Sequence, residues 1–174
     1  MPLLQNNIIA LRALEPEDLE IFYVWENNAE YWQYGNTLAP YSRFAIKQYL
    51  LNAQRDIYEN KELRLMVERK VDKKAIGAVD LFNYDPYHQR AELGILIDKT
   101  FQQQGFSSMA MALVKEYAFD FLGLKQLYCH VPQKNEPSKR MVEKAGFVAV
   151  GIKKAWLKTP FGFDDVVFYQ LVNL

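Results

Sequence analysis

The chain of 174 residues is 50% apolar and 14% aromatic, and its 21 lysines and arginines balance 21 aspartates and glutamates. Such a composition describes a packed globular domain with enough chain to bury a core unaided by disulfides or metal. The even charge excludes a field that would gather nucleic acid. One cysteine, Cys129, leaves no internal disulfide, and no apolar run nears the ~20 residues of a membrane span. The start, without a basic apolar leader, fits a cytoplasmic domain spanning 1–174, with no nucleic-acid or membrane partner.

Residues 8–14 read as a short strand. Glu15-Pro16-Glu17-Asp18 then opens a helix to about Asn27, its acids placed where the helix dipole favours them. A second helix is expected from Ser42 to about Tyr58, with Phe44, Tyr49, Leu50 and Ile57 as its apolar residues. Residues 63–69 alternate as a half-buried strand. The polar turn Val71-Asp72-Lys73-Lys74 leads into 75–84, Asp85-Pro86-Tyr87-His88 turns again, and 89–97 is a fourth strand. A helix follows over 107–121, with Ala110, Leu113, Val114, Tyr117, Ala118 and Phe121 on one face and Gly123 as its stop. A strand at 126–131, a helix at 135–145 closed by Gly146, and an antiparallel pair at 148–158 and 165–172 complete the chain. The result is an α/β domain with four helices and a mixed, mostly antiparallel sheet of about seven strands.

The segment Phe101-Gln102-Gln103-Gln104-Gly105-Phe106-Ser107-Ser108 lies between the fourth strand and the helix at 107–121. A loop entering a helix N-terminus presents free backbone N–H groups and the positive end of a dipole, which suits a phosphate. Gly105 lets the main chain approach an anion, and Ser107 is small. An ordinary capped turn is the alternative. Cys129, without a His–Asp constellation, reads as a small core residue rather than a nucleophile. Two histidines and one cysteine predict no metal site.

Gln102-x-x-Gly105-x-Ser107 resembles the Q/R-x-x-G-x-G/A signature of the GNAT acetyltransferases, with Ser107 in the place of Gly or Ala. Asn135-Glu136-Pro137-Ser138-Lys139-Arg140-Met141-Val142-Glu143-Lys144-Ala145-Gly146-Phe147 resembles a second segment of that superfamily, although Asn135 as N-cap and Gly146 as C-cap also suit plain helix punctuation. Leu11-Arg12-Ala13-Leu14 with Asp18-Leu19, and Ala91-Glu92-Leu93-Gly94-Ile95, are similar to the branch that acetylates ribosomal-protein N-termini and spermidine.

The resemblance implies a GNAT fold splayed between strands four and five, and an acetyl-CoA-dependent N-acetyltransferase in which a primary amine attacks the thioester directly. It places the coenzyme on Gln102, Gln103, Gln104, Gly105, Phe106, Ser107 and Ser108, on Asn135 and Ser138, and on main-chain N–H groups around Ile95, Leu96 and Ile97. Lys139 and Arg140 are candidates for its phosphates, or else a solvated helix face. Glu92, the carboxylate within the fourth strand's apolar run, is the expected base; an ion pair with Arg90 or a lysine is its bland alternative. Many relatives carry a tyrosine as general acid seven residues after the Asn, where this chain has Val142. Ser138 is the candidate for that task, with Tyr128 and His130 as substitutes. Trp25, Glu26 and Trp32, clustered with Glu30, Tyr31 and Tyr34, offer aromatic faces and carboxylates to a cationic amine, or simply pack. The acceptor is a small-molecule or peptide amine, a protein N-terminus or a polyamine such as spermidine. A catalytically impaired coenzyme-binding module competes with the enzyme, and a homo-oligomer is expected from relatives.

Overall fold

The computed structural model describes residues 3–32 and 37–174. Seven strands form one sheet: β1 (Ile9–Arg12), β2 (Leu63–Arg69), β3 (Lys74–Asp85), β4 (Arg90–Ile97), β5 (Gln126–Pro132), β6 (Val148–Thr159) and β7 (Gly162–Val172). Their order is β1-β2-β3-β4-β5-β7-β6, and all neighbours are antiparallel except β4 and β5. The strand count and the mixed sheet agree with the sequence reading.

Among the described residues six helices, not four, accompany the sheet: α1 (Leu19–Glu26), α2 (Ala29–Trp32), α3 (Arg43–Asn52), α4 (Ile57–Asn60), α5 (Phe106–Glu116) and α6 (Glu136–Lys144). The single helix expected over 42–58 divides because Asp56 caps a new turn, its carboxylate accepting from Glu59 N at 3.0 Å. The helix expected from Glu15 starts instead as a tight turn, Pro16–Asp18. There the buried Asp18 carboxylate takes the Glu15 amide and both terminal nitrogens of Arg12. The long helix of 107–121 ends as α5 followed by one π-turn, Tyr117–Phe121.

Strand alternation divides the sheet into two faces. Ala91, Leu93 and Ile97 of β4 and Leu127, Cys129 and Val131 of β5 are buried in one core with Ala110, Met111 and Val114 of α5 and Val142 of α6. On the other face, Met66 and Ala78 pack with Phe22 and Trp25 of α1 and Ile46 and Leu50 of α3, against which Leu96 leans. This second cover leaves bare the part of the face formed by β5, β7 and the start of β4.

Between β4 and β5 only Arg90, Ala91 and Glu92 are in register, opposite Gln126, Leu127 and Tyr128. Yet β4 stays paired with β3 to Ile97, and β5 with β7 to Pro132. The two strands therefore part after Glu92, leaving a gap in the middle of the sheet. Gly77 of β3 sets the position of the far lip. A methyl there would lie 2.2 Å from the Leu96 carbonyl oxygen and 2.8 Å from Ile97 Cδ1. Gly77→Ala is expected to force β4 outward and cost about 2 kcal/mol of stability, a Tm lower by about 4–8 °C in calorimetry.

Candidate active site

The loop before α5 has the build expected of an anion site. Gly105 stands at the N-cap with φ +83°, and Gln103 is also left-handed at φ +61°. Two such residues in three curl the backbone so that successive N–H groups face one concavity. The first helical amides, those of Phe106, Ser107 and Ser108, have no main-chain acceptor among the described residues, as helix geometry requires. The side chains of Gln102 and Gln104 brace the loop from behind, donating to Ile97 O at 2.9 Å and Thr100 O at 3.2 Å. Phe106 is a core residue, packed edge-on against Phe101. So the loop offers main chain to a ligand, and its larger side chains hold that main chain in place.

Asn135 caps α6 by accepting from Ser138 N at 3.2 Å, which puts Ser138 in the helix's first turn, half-buried. Val142, one turn on, points into the core and is buried. Arg140 is exposed, whereas Lys139 is committed to Glu136 and the Gln133 carbonyl. Lys115 ties α5 to α6 through the Ala145 carbonyl at 2.6 Å.

On the opposite face, where the strands part, lies a cavity of about 360 Å³. Glu92 sits in its wall with a side chain 12% exposed. One carboxylate oxygen accepts from Asn83 Nδ2 at 2.9 Å and the other meets His130 Nδ1 at 2.6 Å. His130 Nε2 is in turn 2.8 Å from Lys153 Nζ. Arg90 turns away to Asp85, 3.2 Å off, so the expected alternative of an Arg90–Glu92 ion pair is not what forms. Tyr128, directly opposite Glu92, packs its ring on Phe168. Burial, and after it the Glu92 charge, raises the Tyr128 phenol, which keeps it a neutral donor.

The remaining sequence candidates are placed elsewhere. Trp25 is buried and donates its indole N–H to Asp98 at 2.9 Å. Burial pushes Asp98 up, but the hydrogen bonds from Trp25 and Thr100 outweigh it and leave the carboxyl below the usual range. Glu26 accepts from Arg64, which also grips Asp80, and Trp32 donates to the Glu26 carbonyl at 2.7 Å. None of the three lines the cavity. Tyr34 lies outside the described residues. Cys129 is on the core face of β5, where burial first and the Glu92 charge second push its thiol up to about 12. The native thiol should react with an aromatic disulfide at pH 8 at least about 1,000-fold more slowly than the guanidinium-unfolded chain. Fast native labelling would return Cys129 to the list of nucleophiles.

A sheet parted beside a phosphate-ready helix end, with a half-buried carboxylate on the far side, now has a family to be compared with. Residues 9–148 match the acetyltransferase (GNAT) domain family. The chain belongs to the GNAT acetyltransferases. The spermidine N(1)-acetyltransferase of Vibrio cholerae is 33% identical over 146 residues, 84% of this chain and 82% of the relative. That of Escherichia coli K12 is 33% identical over 82% of this chain and 74% of its own. The crystal structure of the Vibrio cholerae spermidine N-acetyltransferase in complex with CoA and spermine has a TM-score of 0.87 at 28% identity, covering 96% of both chains. A dodecameric structure of the Vibrio cholerae protein has a TM-score of 0.81 at 30% identity, covering 96% and 95%.

Within this acetyltransferase, two residues of the cavity escape a reading of the sequence. Asn83 reaches Glu92 because β3 bulges between Phe82 and Asp85, with Asn83 itself at φ +49°. Lys153 is turned toward His130 next to a second irregularity, between Lys153 and Leu157 of β6. There Ala155 takes φ +47° and its N–H is held by Asp165 at 2.8 Å. A bulge has weak sequence signals. The Lys153-Lys154 pair looks like any solvated edge strand.

Proposed function

We propose that this acetyltransferase moves the acetyl group of acetyl-CoA to a primary amine of a polyamine, by direct attack of the amine nitrogen on the thioester. The observation that carries the reading is the position of Glu92: at the last registered pair before the strands part, half-buried, with its carboxylate between Asn83 Nδ2 and His130 Nδ1. The choice of a polyamine over a protein N-terminus rests on the relatives, named for spermidine.

An alkylammonium of pKa ~10.4 is neutral in only about one molecule in a few thousand at pH 7. The reaction therefore needs a base at the acceptor, and Glu92 is assigned that role, directly or through a water. Once the nitrogen lone pair bonds to the carbonyl carbon, charge gathers on the carbonyl oxygen. Past Glu92, β4 has no strand on its β5 side, so main-chain N–H groups within Ile95–Ile97 are assigned to that oxygen. The carbon–sulfur bond then breaks, the nitrogen loses its second proton and sulfur gains one. With Val142 in the core, the Ser138 hydroxyl at the start of α6 is assigned to the departing sulfur. The bare amides of Phe106 to Ser108 and the concavity around Gly105 fit a diphosphate, with Asn135 and Arg140 alongside.

Assembly with further copies belongs to the same proposal. Edge strand β6 presents Val148, Val150 and Ile152 to solvent, 64%, 50% and 49% exposed, and one structural neighbour is described as dodecameric.

A thiol-release assay with acetyl-CoA and a panel of polyamines, N-terminal peptides and amino sugars tests the reading. Turnover is expected with spermidine or spermine, above all other acceptors. Binding of CoA in calorimetry with no turnover on any amine would instead favour a binding module that has kept the pocket and lost the chemistry. Preferred turnover of a peptide would overturn the choice of acceptor.

A further inference from the structure

Three side chains from three strands make one polar line across the cavity: Glu92 of β4, His130 of β5 and Lys153 of β6, at 2.6 Å and 2.8 Å. The order of donors along it is dictated by the ends. A lysine ammonium has three N–H groups and no lone pair, so Nε2 of His130 has to be the acceptor facing Lys153. A neutral imidazole with a bare Nε2 carries its hydrogen on Nδ1, and Nδ1 faces a carboxylate oxygen that can only accept while ionised. Each link thus has one donor and one acceptor. The opposite tautomer would set hydrogen against hydrogen at Lys153 and lone pair against lone pair at Glu92.

We propose that Lys153 and His130 are positioning residues for Glu92: the ammonium selects the Nδ1–H form of His130, and that N–H holds the carboxylate in place beside the parting strands.

The surroundings make the line directional. Lys153 has no carboxylate partner among the described residues; its ammonium lies 4.5 Å from the Trp156 ring centre and 5.6 Å from that of Phe168. Phe168 also packs on the His130 ring at 5.0 Å, which fixes the plane of the imidazole. The other charged or titratable groups facing His130 are Arg90 on β4, already paired with Asp85, and Tyr128 on its own strand, edge-on at 6.0 Å. Among the described residues only Lys153 addresses Nε2. A polar residue at each of positions 92, 130 and 153 is needed for the line to form, and the register shift of β6 between Ala149 and Gly151 puts the third one on the face of Phe168 and His130.

The proposal rests on the reading of Glu92 as the base, but its first test does not need turnover. With only two histidines in the chain, nitrogen-15 NMR of the imidazoles reads each tautomer directly, and a His88→Gln variant assigns the pair. The expected result is Nδ1–H at His130 in the wild type and in Lys153→Arg, since a guanidinium is also a pure donor, and a shift to the Nε2–H form in Lys153→Met. An Nε2–H signal in the wild type, or an Nδ1–H signal that survives in Lys153→Met, overturns the proposal.

The second test is kinetic. Lys153→Met should lower kcat about 10-fold with the KM for acetyl-CoA unchanged, the effect of losing one charge-assisted hydrogen bond to a carboxylate. Lys153→Arg should restore kcat. Equal losses in the Met and Arg variants would overturn the positioning role. If the tautomers behave as expected while Glu92→Gln leaves turnover intact, the polar line stands and the assignment of the base falls.

Discussion

Gly105→Trp is expected to weaken coenzyme A binding by about 100-fold or more in calorimetry, the equivalent of two charge-assisted hydrogen bonds between backbone N–H groups and phosphate. The indole would fill the concavity into which the amides of Phe106, Ser107 and Ser108 point. The fold itself has room at this position, since a Cβ would meet nothing nearer than Met109 Cε at 3.8 Å. What remains is the strain of a side chain at φ +83°, on the order of 1–3 kcal/mol. Gly105→Ala carries that strain without the bulk and is the control. It should lose a few degrees of Tm in common with the Trp variant and keep most of the affinity. Equal affinity in wild type and Gly105→Trp would remove the diphosphate from this loop, and with it the basis of the proposed reaction.

Glu92→Gln is expected to lower kcat/KM at pH 7 by about 100-fold, the ordinary yield of a positioned general base. The deficit should close as pH climbs toward the ~10.4 of a free alkylammonium, because solution then supplies the neutral amine unaided. Coenzyme binding should not change, since Glu92 lies on the opposite face from the α5 loop. The glutamine can still accept from Asn83, so the variant should fold and melt close to the wild type. A pH profile parallel to that of the wild type would mean that Glu92 orients and does not take the proton.

The sheet was legible because its strands obey alternation: β2 through β6 are found within one or two residues of where the apolar pattern and the turn residues put them, and β7 starts three residues early, at Gly162 instead of 165. The helices were less so. Asp56 restarts a helix inside what looks like one amphipathic run, and only the cap geometry separates α3 from α4. The loop at 102–108 stood out by its place before a helix and by the resemblance of Gln102-x-x-Gly105-x-Ser107 to the GNAT signature. The acceptor side was not, since it depends on which strand is next to which. Glu92, His130 and Lys153 are far apart in the chain; a bulge in β3 aims Asn83 inward, and a register shift between Ala149 and Gly151 puts Lys153, opposite Val166, on the face of Phe168 and His130. Trp25 shows the converse. An aromatic residue beside an acid on a helix end suggests a cation site; in the fold its indole N–H is given to Asp98, just past the end of β4.

The parting of β4 and β5 has a mechanical side. Among the described residues, three registered pairs, Arg90 to Glu92 with Gln126 to Tyr128, and the Gln89 carbonyl, which takes the amides of Lys125 and Gln126, stitch the four-stranded half of the sheet to the three-stranded half by main-chain bonds. The α5 and α6 roof does the rest of the clasping. Such a seam is where amide hydrogens trade with solvent soonest, so a guest wedged into it acts as a splint. By mass action, cofactor at 100 times its dissociation constant would add about 2.7 kcal/mol against unfolding.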